Sequence, residues 1–237
     1  MIPLRDDLRS RTIPFVTVIL VSLNVAVFFY QLSLQMAPEP GAQRAAEEFI
    51  REFGVTPCRL AGYCRAPEDA PHPVVTIFTS MFLHGGLLHL GGNMLYLWIF
   101  GNNVEDTLGH ARFAVLYLVS GAVAAVVQTL VNPPSGIPMV GASGAVSGVL
   151  GAYLLLFPYA TILTLVVFGF FWRFIHLPAV VVLGLWIVFQ LFSGYLSLAA
   201  AGTAGGVGGV AFFAHIGGFF VGMALLFVLR PRASRRL

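Results

Sequence analysis

Four side chains of types that catalyse acyl transfer lie in stretches of this sequence where polar groups are otherwise scarce. Ser143 stands in Gly141-Ala142-Ser143-Gly144 and His215 in Ala214-His215-Ile216-Gly217-Gly218, while His89 and Asn93 are four residues apart. A serine hydroxyl attacks a carbonyl only when a neighbouring base takes its proton, and histidine titrates in the range that suits this task. A spacing of four puts His89 and Asn93 on one helix face. From there both can donate to an oxygen that gains negative charge. The set predicts acyl transfer, with Ser143 as nucleophile, His215 as base, and His89 and Asn93 as oxyanion donors.

The solvent around these residues follows from composition. Of 237 residues, 58% are hydrophobic and 10% are charged, against about 25% charged in a soluble domain. One water-soluble core cannot use this much apolar surface, so a bilayer must be the solvent. The net charge of +3 rests on 13 basic residues, all of them arginine. They sit mostly at the ends of apolar runs, with Arg44, Arg51, Arg59 and Arg65 in the first outer loop as the exception, which reads as orientation in a membrane and not as a nucleic-acid surface.

Six apolar segments are predicted to span, making an all-α membrane protein: Ile13–Met36, Leu87–Val104, Phe113–Val131, Ala142–Phe157, Leu177–Leu198 and Val207–Leu229. The run Thr161–Phe171 is too short to span alone and precedes Trp172, Arg173 and His176, so it is expected to be interfacial or re-entrant. The domain plan is a cytoplasmic segment 1–12, a six-helix core 13–229 with a first outer loop at about 37–86, and a basic tail 230–237. Arg5, Arg9 and Arg11 precede the first span, and Arg230, Arg232, Arg235 and Arg236 follow the last. Both termini are therefore expected in the cytoplasm.

Those segments set the depth of the reactive pair. The fourth stops at Pro158 and the sixth at Arg230-Pro231, because proline cannot continue a helix without losing a hydrogen bond. Ser143 and His215 each lie the same number of residues before those ends, about 21 Å at 1.5 Å per residue in a core about 30 Å thick. The small residues Gly144, Ser147, Gly148, Gly151 and Ala152 on one helix, and Gly218 and Gly222 on the other, favour close backbone packing. The fourth to sixth segments hold no acid at membrane depth, so a Ser–His dyad is expected, not an Asp-completed triad.

Plainer readings stand beside these. A serine in a membrane helix often bonds its own i−4 carbonyl, and a lone histidine often links two helices. His84 is either a loop hydrogen-bonding group or part of the site's frame. The spacing of His84 and His89 is a weak metal signal without a carboxylate or cysteine nearby. His72 and His110 are expected to be solvated. Cys58 and Cys64 are either a small disulfide or two free thiols. Trp186, Phe189 and Phe192, three apart, are expected along one side of the fifth helix, either as lipid contacts or as a lateral gate against the second.

Taken together, His84-x4-His89-x3-Asn93, Gly141-Ala142-Ser143-Gly144 and Ala214-His215-Ile216-Gly217-Gly218 resemble the rhomboid family of intramembrane serine proteases. The resemblance implies a six-helix rhomboid-like bundle and a Ser143–His215 dyad, with His89 and Asn93 assisting the oxyanion. It implies serine endopeptidase activity on single-span membrane proteins, no cofactor or metal, no nucleic acid, and a multi-pass place in a bacterial inner membrane. An inactive relative that binds or chaperones membrane proteins is the alternative, and a small transporter is a further one. The chain departs from many members in lacking a Trp-Arg pair in its first loop and in placing Ser147 where some carry a tyrosine. Its loop before the sixth helix is rich in glycine (Gly202, Gly205, Gly206, Gly208, Gly209).

The arginine pattern yields a direct test of orientation. After reduction, Cys58 and Cys64 should react with a membrane-impermeant thiol reagent added to intact cells or spheroplasts. Labelling confined to inverted vesicles would overturn the orientation.

Overall fold

The computed structural model describes residues 1–38, 41–67, 70–201 and 210–229. The glycine-rich loop at 202–209 and the basic tail at 230–237 lie outside the described residues. The chain begins with a short strand, β1 (Ile2–Asp6), and a long apolar helix, α1 (Phe15–Gln35). The first loop holds α2 (Ala42–Phe53), α3 (Pro57–Leu60) and α4 (Pro73–Thr79), the last running into a 3-10 turn at Ser80–Phe82. Then come α5 (Leu87–Leu108), α6 (His110–Val131) and α7 (Ser143–Leu156). A hairpin of β2 (Thr161–Phe168) and β3 (Phe171–Pro178) leads to α8 (Ala179–Ala201) and α9 (Phe212–Leu229).

The expected helical bundle is present. Of the six expected spans, four (α1, α6, α8 and α9) are long and apolar enough to cross a bilayer. A fifth is α5 taken with the Pro73–Phe82 segment, from which it is bent by 84°. The helix α7, of 14 residues, is about 21 Å long and falls short of a full span. It is surrounded by α9, α6 and α5, and every residue from Gly144 to Tyr153 is buried. Protein on all sides explains how a short helix with a polar start is tolerated at this depth.

The apolar run Thr161–Phe171, expected to be interfacial or re-entrant, is extended backbone. It forms β2 and the turn into β3, and β1 adds to the other edge of β2, giving an antiparallel sheet in the order β1-β2-β3. The β-branched residues Thr161, Ile162, Thr164, Val166 and Val167 suit an extended backbone. Gly169, at φ 57°, takes the first central position of a two-residue hairpin loop, where a type II′ turn requires positive φ.

Polar contacts tie this sheet end together. Tyr153 Oη and Asn103 Nδ2 both donate to Asp6 Oδ2, each at 2.7 Å. Burial pushes the Asp6 carboxyl above its ordinary pKa, against the opposing pull of those two bonds. The second helix runs past its expected end at Val104, and the extra turn brings Glu105 inside. Glu105 is fully buried and accepts from Val16 N and Thr17 N at 2.8 Å and from Thr17 Oγ1 at 2.7 Å, so it caps α1. Its other partner is His110 Nδ1 at 2.6 Å, so His110, exposed as expected, is also tied to the end of α5. His72, likewise, caps α4 by accepting from Val74 N at 3.3 Å.

The closest packing joins α7 to α9. A Cβ on Gly218 would strike the Gly144 carbonyl oxygen, one on Gly222 the Gly148 carbonyl oxygen, and one on Gly151 the Phe219 carbonyl oxygen. Backbone cannot move aside as a side chain can, so Gly222→Leu should cost more than the ~1–3 kcal/mol typical of overpacking. A sharp fall in the thermal unfolding temperature in detergent is the expected result. Gly91→Ala, where a Cβ meets nothing within 4 Å, should leave that temperature unchanged.

Candidate active site

Ser143 opens α7, and no side chain caps that end. The leading backbone N–H groups of a helix have no partner within it and carry partial positive charge. His215 lies in the first turn of α9, whose start is fixed by Ala214 N donating to Gln128 Oε1 of α6 at 3.2 Å. Three residues on, Gly218 rests against the Gly144 backbone, which brings this turn of α9 level with the start of α7. As a result Ser143 Oγ and His215 Nε2 are 2.8 Å apart. Ser147, one turn into α7, donates its hydroxyl to the Ser143 carbonyl oxygen at 2.6 Å. That is the back-bonding expected of a helical serine, but it is Ser147 that shows it, not Ser143.

His89 and Asn93 reach the same place from α5. They line one recess with Ser143 and His215, a cavity of about 1360 Å³ that also touches Trp186 of α8. A Cβ on Gly141 would lie 2.7 Å from His89 Nε2 and 3.6 Å from Asn93 Nδ2. With φ at 125°, that residue must be glycine on two counts. Gly85 N donates to His89 Nδ1 at 3.3 Å, so the ring proton belongs on Nε2, the nitrogen beside Gly141. His84 is buried and its Nε2 accepts from Asn93 Nδ2 at 3.0 Å. Its ring meets that of His89 edge-on at 5.1 Å. Gln31 of α1 clamps the His84 backbone through both its N–H, at 3.0 Å, and its carbonyl, at 3.3 Å. His84 thus belongs to the frame behind the two donors. Among the described residues no three His, Cys, Asp or Glu side chains gather as a metal site.

The first loop and the segment before Ser143 cover part of the recess. Val55 and Met139 form an isolated antiparallel bridge, and Cys58 N donates to the Ser135 carbonyl at 2.9 Å. Cys58 and Cys64 are joined as a disulfide.

Two features of α8 escaped the reading of the sequence. Trp186 does not share a side with Phe189 and Phe192. Those two are 61% and 60% exposed, whereas the Trp186 ring lies over His215 with centroids 6.0 Å apart and planes at 36°. Three residues turn a helix by about 300°, so spacing by three drifts around the axis and the expected common side does not form. The second feature is Gln190, whose Oε1 is 2.8 Å from His215 Nδ1. An uncharged polar residue within an otherwise apolar helix, one turn after Trp186, was the available signal.

The rhomboid domain model matches residues 71–232, most of the chain, including His84, His89, Asn93, Ser143, Gln190 and His215. The chain belongs to the rhomboid family. It is therefore an integral, multi-pass membrane protein of that fold. It is 34% identical over 169 residues to Rhomboid protein 1, mitochondrial, of Saccharomyces cerevisiae, an alignment that covers 69% of this chain and 44% of the yeast protein. It is 31% identical over 155 residues to RHOMBOID-like protein 1 of Arabidopsis thaliana, covering 60% of this chain and 39% of that one. A further match, 40% identical over 78 residues, is to Rhomboid protease GluP of Bacillus subtilis, covering 33% of this chain and 15% of GluP. The chain thus spans less than half the length of each of these relatives. A rhomboid family member with Ser143, His215, His89 and Asn93 around one recess has the groups for acyl transfer in place.

Proposed function

We propose that this rhomboid family member is an intramembrane serine endopeptidase that cuts peptide bonds in or near the membrane spans of other proteins. The observation that carries this reading is the 2.8 Å approach of Ser143 Oγ to His215 Nε2 at the foot of an open recess. The name of the Bacillus subtilis relative, a rhomboid protease, supports it.

In the proposed reaction Ser143 Oγ bonds to the scissile carbonyl carbon while its proton passes to His215 Nε2. The carbonyl oxygen takes up the displaced electron pair. Its charge is met by the leading amides of α7, by the second hydrogen of Asn93 Nδ2 and by His89 Nε2–H. The C–N bond then breaks as His215 returns the proton to the departing amine. Water entering through the recess attacks the acyl-enzyme by the same route, releasing a carboxylate and restoring Ser143. A substrate helix must unwind locally to offer its backbone, so small or helix-breaking residues near the cut favour cleavage. Single-span membrane proteins fit this requirement, because their spans have fewest neighbours to hold them. We place both termini in the cytoplasm of a bacterium and the recess on the far side of its inner membrane. The arginines before α1 and the disulfide at the recess end of the bundle support that orientation.

The dyad is tested by covalent labelling. A fluorophosphonate should modify Ser143 and no other serine, since unactivated hydroxyls do not attack it at useful rates. Ser143→Ala and His215→Ala should each abolish labelling and cleavage, because members of a dyad act as a unit. Asn93→Ala should slow cleavage by about 10²–10³-fold without abolishing it, the usual loss for one oxyanion donor. Labelling that survives Ser143→Ala, or a His215→Ala protein that cleaves at the wild-type rate, would sink the dyad. Absence of labelling in the wild-type protein would favour a binding role.

A further inference from the structure

His215 has a second ring nitrogen, and its surroundings decide whether Nε2 can act as a base at all. A neutral imidazole carries one proton. If that proton sits on Nε2, Ser143 faces a donor and nothing accepts its hydrogen. Nδ1 is 2.8 Å from Oε1 of Gln190, a side chain only 6% exposed in the middle of α8. An amide oxygen only accepts, so with Oε1 facing the ring Nδ1 holds the proton and the Nε2 lone pair points at Ser143 Oγ. Trp186, one helical turn before Gln190, packs against the same ring at a tilt. One helix therefore supplies both the hydrogen bond and the packing that set the imidazole's tautomer and plane.

We propose that Gln190 is a positioning residue that completes a Ser143–His215–Gln190 relay, fixing the Nδ1–H tautomer of the base. The proposal rests on Ser143 and His215 acting as nucleophile and base. It extends that reading to a third helix, since α7 holds the nucleophile, α9 the base and α8 the group that orients the base. A carboxylate in the Gln190 position would bury an ionised group at membrane depth, which is costly. The amide offers the same acceptor atom without the charge. It stabilises the imidazolium less than a carboxylate does, so its role is orientation above all. The reverse amide orientation would present Gln190 Nε2–H to Nδ1, move the ring proton to Nε2 and leave Ser143 without a base. The two orientations make opposite forecasts.

The test uses the full chain in lipid nanodiscs, with kcat and KM for a membrane-embedded substrate and the ¹⁵N resonances of its histidine rings. In the wild type, the His215 signals, identified by their loss in His215→Ala, should show a protonated Nδ1 and an unprotonated Nε2. Gln190→Leu, close in volume but with no acceptor, should abolish that preference and lower kcat by at least about 10²-fold, the lower end of what a positioned base contributes. KM should stay within about twofold, as for an interaction lost in the transition state alone. Gln190→Glu, which keeps the acceptor, should recover most of the lost rate. A merely structural glutamine would lower the unfolding temperature without moving the tautomer or separating kcat from KM. A wild-type proton on Nε2, or a folded Gln190→Leu protein with unchanged kcat, would overturn the relay. If Gln190→Leu does not fold, the wild-type resonances and the Gln190→Glu rates still decide. A wild-type protein that neither cleaves nor labels at Ser143 would end the protease reading instead, a result distinct from any of these.

Discussion

The contact between the backbones of α7 and α9 sets everything else in this molecule. Two helices in lipid gain little by hiding apolar side chains from each other, because lipid tails are equally apolar. What remains is dispersion at short range, which grows as the backbones approach. Gly144, Gly148 and Gly151 on one helix and Gly218 and Gly222 on the other allow an approach that any side chain would block. The register of that interlock fixes the reactive pair. Ser143 immediately precedes Gly144, and His215 stands just under one turn before Gly218, which lies against Gly144. A side-chain interface between these helices would set them several ångströms farther apart, and no hydroxyl would reach the imidazole.

Around that rigid pair, several buried polar groups are held by groups from other elements of the fold. Glu105 of α5 caps α1 and engages His110 of α6. Gln31 of α1 clamps His84, and His84 holds Asn93 of α5. Gln128 of α6 anchors the start of α9, and Gln190 of α8 reaches His215. In hydrocarbon an unsatisfied polar group costs several kcal/mol, so these bonds specify which helices are neighbours more than they add stability. They also divide by end. The sheet end carries the carboxylates Asp6 and Glu105, whereas the recess is lined by neutral donors and acceptors. In the proposed reaction, that division keeps fixed negative charge away from the oxygen on which negative charge develops.

How much of this was legible in the sequence depended on whether a feature has a period or a spacing. The apolar helices have one, and their observed limits fall within a few residues of those expected, as α1 at Phe15–Gln35 shows. The juxtaposition of Ser143 and His215 was legible because two proline-ended helices and two small-residue faces give depth and contact separately. The β-hairpin was not, since an apolar run of that length has no period that separates strand from buried helix; its β-branched residues and Gly169 were the arbiters. Glu105 was missed because hydropathy ends a helix where charge begins, although a capping carboxylate is charged and inside. Gln190 was not legible because an acid is the familiar partner of a histidine base, whereas the proposed relay requires only an acceptor.

That requirement explains the departure at Ser147. Where some rhomboids carry a tyrosine on the nucleophile's helix, this chain has a serine that bonds back to the Ser143 carbonyl and cannot cover the imidazole. Packing of His215 therefore comes from Trp186, and with it the anchoring of the ring passes from α7 to α8. The two helices differ in their surroundings. The first is enclosed on all sides, whereas α8 packs mainly on α9 and turns Phe189 and Phe192 outward. A base oriented from the enclosed helix would keep its alignment however the periphery moved. In the proposed relay, a base oriented by Gln190 and Trp186 stays aligned only while α8 lies against α9, so the order of that centre would be tied to the position of a peripheral helix.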